Sequence, residues 1–272
     1  MTGNLKKVSL KELRKYPFPI SSANLPLKKW NFWRRFVYRF AEKAVPKSME
    51  KLYKIDISGL EHLKNHKEGN PVIFCGNHKS HLDALILATA AVKVRAYLAF
   101  MVSGKAMYSS PVFRLLKYLG GFPVFKENPE PALKYSELSL RAGHAVAIFP
   151  EGKRTDKKGS YKGKTGVARV IERLNFEVPV IPFYIHGSAE ALAIGGKVPL
   201  FGRYLTIRFG KAMYFKVYAH ISDNYERIRS ITDDILKNIN QLLKISETDY
   251  LEKIEQTASP ATNYGSTIEQ QI

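Results

Sequence analysis

His78 and Asp83 are the residues whose types and spacing best fit catalytic chemistry. They lie in Asn77-His78-Lys79-Ser80-His81-Leu82-Asp83, directly after the apolar run Val72-Ile73-Phe74-Cys75-Gly76. An imidazole titrates near neutral pH, and a carboxylate bonded to one ring nitrogen fixes its tautomer. On one continuous helix, five residues would set the two side chains about 140° apart, too far to meet. Ser80 offers another geometry. As an N-cap it makes Asp83 the third helical residue, as in a capping box, and leaves His78 in the preceding loop. The carboxylate then points back toward the imidazole, and the pair forms a general-base dyad. Three other readings use the same residues. Ser80 and Asp83 also fit a helix cap alone. His78 and His81 carry metal-ligand nitrogens, although His-x-x-His-x-Asp matches no common zinc spacing. Cys75 is a thiol, but its central place in an apolar run predicts a buried, inert one.

A second constellation is Phe149-Pro150-Glu151-Gly152-Lys153-Arg154-Thr155, after the apolar run Ala145–Phe149. From Glu151 to Arg169 there are seven basic residues against two acidic ones, with glycines at 152, 159, 163 and 166. A glycine-rich cationic loop suits phosphate oxygens; a solvated basic loop is the alternative. Gly159-Ser160-Tyr161-Lys162-Gly163-Lys164-Thr165 imitates a phosphate-binding loop, but it has three residues between the glycines where that cradle needs four.

Short apolar runs and helical stretches alternate around these residues. The predicted strands are 72–75, 122–125, 145–149, 180–185 and 205–209. The predicted helices are 80–92, 109–119, 130–143, 164–174 and 224–245. Ile228, Ile231, Ile235, Ile239 and Leu242 give the last helix one apolar face. The alternation predicts an α/β domain over residues 51–245, a layered mixed sheet flanked by helices. Chemistry in such sheets sits where strands end, so both constellations should surface at one edge. Residues 246–272 are rich in Ser, Thr, Gln and Glu and read as a helix remnant followed by a disordered tail.

Residues 1–50 read as an arm followed by an amphipathic helix over 26–44. Trp30, Trp33, Phe36, Val37, Phe40, Ala41 and Ala44 fall within an arc of about 140°, with Lys28, Arg35, Arg39 and Lys43 opposite. Aromatics facing cations suit the plane of an anionic bilayer. A surface helix packed on the core is the competing reading. No membrane span is expected: residues 84–102 approach the needed length, but Lys93 and Arg95 would each cost about 2.5–3.5 kcal/mol at a bilayer centre. The first residues have charges but no apolar segment of the signal-peptide kind. The 272 residues include 43 basic and 24 acidic, a net charge of +19. That field favours nucleic acid, anionic membrane or phosphorylated small molecules. Apolar residues at 45% and charged ones at 25% are ordinary for a globular chain. One cysteine excludes an internal disulfide and an all-cysteine zinc site.

Taken together, the motifs resemble those of the glycerophospholipid acyltransferases, the lysophosphatidic acid acyltransferase (PlsC-like) family. Asn77-His78-x-Ser80-x-x-Asp83 resembles its first motif and Phe149-Pro150-Glu151-Gly152-x-Arg154 its third. Gly120-Gly121-Phe122-Pro123-Val124-Phe125-Lys126 is similar to the second, with Lys126 where the family has arginine. Val178-Pro179-Val180-Ile181-Pro182-Phe183-Tyr184-Ile185 resembles the apolar fourth. The order and spacing match over about residues 55–215.

The resemblance implies transfer of a fatty acyl group from acyl-CoA or acyl carrier protein to a lysophospholipid hydroxyl, with lysophosphatidic acid as the expected acceptor. His78 and Asp83 would be catalytic. Lys126, Glu151, Gly152, Lys153 and Arg154 would hold the acceptor, Glu151 by fixing Arg154 or a glycerol hydroxyl. Asn77 and Ser80 would support the motif. No metal or other cofactor is implied, and the expected location is the cytoplasmic face of a membrane, peripheral or monotopic. The alternatives are another acceptor such as glycerol 3-phosphate or a lyso-aminolipid, a His/Asp thioesterase, and a non-catalytic basic binder of membrane or nucleic acid. No specific nucleic acid is expected, because the basic residues cluster after Glu151 beside a lipid-like aromatic helix.

Overall fold

A computed structural model of the chain describes residues 32–63, 70–94, 98–109, 113, 116, 120–155, 162–196 and 198–258. In chain order these form α1 (Phe32–Leu52), β1 (Lys54–Ser58), a 3-10 turn (Leu60–Leu63), β2 (Val72–Gly76), α2 (Asp83–Lys93), β3 (Leu98–Ser103) and α3 (Gly104–Ser109). Then come β4 (Gly121–Val124), α4 (Glu130–Arg141), β5 (Ala145–Ile148), α5 (Gly166–Arg173), β6 (Val180–His186) and α6 (Ser188–Ala191). The chain continues as β7 (Tyr204–Phe209), a second 3-10 turn (Lys216–His220) and α7 (Asn224–Ala258).

The seven strands make one sheet in the order β1-β7-β6-β2-β5-β3-β4. All neighbours are parallel except β6 and β7, so the mixed sheet has five strands in one sense and β7 and β1 in the other. β2 lies near the middle and is buried at every position. An uninterrupted apolar run is what a strand covered on both faces requires. Period-two alternation divides its side chains. Ile73 and Cys75 join the core under α4, α5 and α7, while Val72 and Phe74 join the one under α1 and α2. The second core also takes Phe183 from β6, and a Cβ on Gly76 would lie 2.4 Å from its ring, so β2 ends on a glycine for lack of room.

Several boundaries differ from the sequence reading. β1 and β3 were not expected. β1 is an edge strand with little apolar sequence, and β3 falls inside a stretch whose apolar residues look continuous with the helix before it. Only Ser109, Phe113 and Leu116 of the expected 109–119 helix are described, and Ser109 ends α3, which begins five residues earlier. α1 runs to Leu52 through Pro46, beyond the expected end at 44. Its second half belongs to the domain, since Met49 is buried in the second core and Val45 packs against it, so a boundary at residue 50 cuts a packed helix. In its first half, Phe32, Phe36, Val37 and Phe40 are exposed at 74%, 57%, 40% and 67%. Pro26, Lys28, Trp30 and the arm lie outside the described residues. α7 continues 13 residues past the expected end at 245, so the helix remnant expected from Ser246 is part of α7 and reaches Ala258, and residues 259–272 lie outside the described residues. Among the described residues, no helix is long and apolar enough to cross a membrane.

Candidate active site

β2 and β5 are adjacent and parallel, so the loops that follow them emerge together. The first carries His78 and the second Glu151 to Thr155. His78 Nδ1 lies 2.8 Å from Asp83 Oδ2. The same oxygen accepts the backbone N–H groups of Lys79 (2.7 Å) and Ser80 (2.8 Å). Asp83 is wholly buried, and His78 keeps 21% of its side chain exposed. The helix begins at Asp83 with Leu82 in the cap position and no side-chain cap bond, so Ser80 is not the N-cap. Half of the expected box survives: the carboxylate reaches back to the Ser80 N–H, but the Ser80 hydroxyl accepts from the Leu82 N–H (3.2 Å) and donates to the Leu192 carbonyl (2.8 Å). Ser80 therefore ties the His78 loop to the segment after α6.

Asn77 ties it to β6. Its side-chain amide donates to the Ile185 carbonyl (2.9 Å), and its side-chain oxygen accepts the Ile185 N–H (2.8 Å). These bonds continue the pairing of β2 and β6 one step past the end of the strand. From the β5 side, Glu151 Oε1 accepts the His78 N–H (3.3 Å), the Thr155 N–H donates to the His78 carbonyl (3.0 Å), and the Phe149 ring stacks on the imidazole at 4.3 Å. Glu151 thus holds the histidine loop, a contact with no signal in the local sequence.

Gly152 takes a positive φ of +66°, and a Cβ there would lie 2.7 Å from the Lys164 side chain. The cation of Lys164 consequently lies over the turn that presents Lys153 and Arg154. Lys126 follows β4, three strand spacings from β2, or about 14 Å. It is exposed at the same end of the sheet, as is Lys105 after β3. Cationic side chains therefore follow three consecutive parallel strands on one flank of His78.

The other flank is apolar. A cavity of about 220 Å³ runs between α1 and α2, lined by Ala41 and Val45 on one side and Leu85, Ala88 and Val92 on the other, with His81 also in its wall. It explains the composition of α2. Ile86, Leu87 and Ala90 face the sheet, and the remaining apolar positions face the cavity. Thr89 satisfies its hydroxyl on the Leu85 carbonyl (2.8 Å). Partial burial lowers the pKa of His81, with the Arg154 charge adding to the effect, so the neutral form is favoured beside the cavity. Burial likewise raises the Cys75 thiol, assisted by Glu151, which leaves it protonated and unreactive. Among the described residues, no three His, Cys, Asp or Glu side chains converge as a metal site.

In the tautomer that donates Nδ1–H to Asp83, His78 Nε2 carries a lone pair. The site thus sets an imidazole bonded to a buried carboxyl group between a cationic rim and an apolar cleft. Residues 54–186 match the sequence profile of the family described as Acyltransferase. A probable 1-acyl-sn-glycerol-3-phosphate acyltransferase of Mycoplasma genitalium is 32% identical over 123 residues, 43% of this chain and 45% of the relative. A glycerol-3-phosphate acyltransferase of Alteromonas mediterranea is 25% identical over 173 residues, 56% of this chain and 20% of the relative. The matched segment spans less than half the length of these curated relatives. The crystal structure of the 1-acyl-sn-glycerophosphate (LPA) acyltransferase PlsC from Thermotoga maritima shares the fold, with a TM-score of 0.57 at 20% identity, covering 78% of this chain and 82% of that one.

Proposed function

We propose that the chain, whose residues 54–186 match the Acyltransferase profile, is a PlsC-like enzyme that transfers a fatty acyl group from acyl-CoA or acyl carrier protein to the free hydroxyl of lysophosphatidic acid, giving phosphatidic acid. The observation that carries the reading is the 2.8 Å contact of His78 Nδ1 with the buried Asp83, set between a cationic rim and an apolar cavity. In this reading His78 Nε2 removes the acceptor hydroxyl proton as the oxygen attacks the thioester carbonyl. Asp83 stabilises the imidazolium. Collapse of the tetrahedral intermediate breaks the carbon–sulfur bond, and the leaving thiolate takes the proton back from His78. Lys153 and Arg154, with Lys126, pair with the acceptor phosphate. The cavity between α1 and α2 receives the acyl chain, since its wall offers methyl and methylene groups. No metal or other cofactor has a part in these steps.

We further infer that the enzyme works at the surface of an anionic membrane, on its cytoplasmic face. The support is the exposure of Phe32, Phe36, Val37 and Phe40 on α1, with Arg39, Lys43 and Lys47 exposed on the same helix.

Purified protein incubated with labelled acyl-CoA and a panel of acceptors tests the reaction. Label should appear in phosphatidic acid only when lysophosphatidic acid is added. Release of free fatty acid without an acceptor would convert the reading to a thioesterase. A second acceptor, glycerol 3-phosphate, is favoured by one specific observation, the similarity to glycerol-3-phosphate acyltransferases over 56% of this chain. It carries the same phosphate with no acyl chain, so the panel distinguishes the two directly.

A further inference from the structure

Residues 192–203, Leu-Ala-Ile-Gly-Gly-Lys-Val-Pro-Leu-Phe-Gly-Arg, connect α6 to β7. β6 and β7 are antiparallel neighbours, so this connection emerges at the end of the sheet where β2 delivers His78. Its base is pinned. The Leu192 carbonyl accepts the Ser80 hydroxyl (2.8 Å), the Leu200 N–H donates to the Ala191 carbonyl (2.7 Å), and the Gly202 N–H donates to the Leu52 carbonyl at the end of α1 (2.8 Å). Leu192 packs against the second core and the Phe201 ring lies 6.0 Å from that of Tyr53, yet much of the apolar surface beyond them is open. Ile194, Val198, Leu200 and Phe201 are exposed at 47%, 74%, 51% and 58%. A single exposed apolar residue needs no explanation, but four within eight positions mark a contact surface.

Antiparallel neighbours are usually joined by far shorter connections, and a long one in a compact domain generally has a function. Gly195 and Gly202 take positive φ, and a Cβ at either would meet nothing within 4 Å, so these turns reach into open space. The segment contains Lys197 and Arg203 and no acid. Exposed Lys47, Lys51 and Lys54 lie at or just before its anchorage on α1 and β1. An apolar tip above a cationic base matches a bilayer surface, where side chains pass the headgroups and cations meet lipid phosphates. An acidic carrier protein would use the cations but would not cover the exposed surface of Ile194, Val198 and Leu200.

We propose that loop 192–203 is a second bilayer contact, separate from α1, which inserts into an anionic phospholipid surface beside the His78 loop. The choice of a lipid occupant rests on the acyltransferase reading; the insertion itself is measured without turnover. Cys75 is fully buried, so a Val198→Cys variant of the full chain can be labelled selectively with an environment-sensitive fluorophore. Vesicles of phosphatidylcholine mixed with phosphatidylglycerol should shift the label to the blue and expose it to quenchers on the acyl chains. A label at Tyr225→Cys, exposed at the start of α7, should stay in water. A third label at Phe36→Cys reports α1. A shift at residue 36 with none at 198 overturns the loop contact while preserving α1 docking. A shift at 198 caused by acyl carrier protein but not by vesicles also overturns it. The double variant Val198→Ser/Phe201→Ser should lower vesicle binding by about tenfold or more, with transfer to a detergent-dispersed acceptor unchanged. Unchanged vesicle binding would equally reject the proposal.

Discussion

Asp83 is enclosed and binds three donors through one oxygen, two from the backbone and one from His78. If His78 is the base, His78→Ala should reduce kcat by about 10²–10⁴-fold. Asp83→Asn retains an oxygen for the Lys79 and Ser80 N–H groups but loses the charge facing the imidazole. It should slow turnover strongly with little change in Tm, whereas a purely capping carboxylate would show the reverse. Two residues acting as one unit are non-additive, so the double variant should be about as slow as His78→Ala alone; multiplicative losses in single-turnover assays would separate them. Arg154→Ala should raise the KM for the acceptor and leave that for acyl-CoA nearly unchanged, because a methyl cannot replace charge-assisted bonds to phosphate. A parallel rise in both KM values, from steady-state kinetics with each substrate varied, would move Arg154 to the donor site. The types and spacing of His78 and Asp83 were legible in the sequence. The reach of Glu151 to the His78 N–H and the Asn77 clamp on Ile185 were not, because their partners lie 73 and 108 residues away and are brought close only by the strand order.

At the scale of elements, the last turns of α7 are the clearest case of tertiary contacts overriding composition. Ser246 bonds His186 Nε2 (2.8 Å), Asp249 pairs with Arg208, Lys253 pairs with Asp56, and the Tyr250 ring stacks on His186 at 5.1 Å. These contacts hold a polar, tail-like stretch on the outer face of β1, β7 and β6. Tyr250 is 8% exposed, and burial pushes its hydroxyl up to about 12. Tyr250→Ala should therefore cost about 3 kcal/mol, read as a lower urea midpoint. A midpoint equal to that of the unaltered chain would mean that residues 246–258 contribute nothing to the fold. The same principle explains α1. Phe32, Phe36, Val37 and Phe40 are exposed while Met49 on the same helix is buried, because packing depends on what lies opposite.

For the whole molecule, the buried titratable groups determine how stability responds to pH. His144, in the turn between α4 and β5, is 4% exposed, and burial pushes it down to about 4 from an ordinary 6.5. The unfolded chain takes up this proton below about pH 6.5 and the folded chain only near pH 4. Stability from this group is thus complete above pH 6.5 and falls as the pH drops toward 4, by about 3 kcal/mol in all. Urea midpoints measured across that window should decline, and His144→Gln should flatten the decline even if its own stability is lower. An unchanged slope in the variant would assign the acid sensitivity to other groups.

The sequence by itself determined the α/β class, the run that becomes the central buried strand, and the two motifs that follow β2 and β5. These features are local: an apolar run, a helix start and a glycine turn are written in neighbouring residues. Tertiary structure alone decided that Glu151, Asn77 and Ser80 converge to hold the His78 loop. It also decided that α1 and α2 enclose an apolar cavity, and that the end of α7 joins the sheet. Each of these depends on which strands lie side by side, and strand order is set by the burial of two faces at once rather than by any one segment.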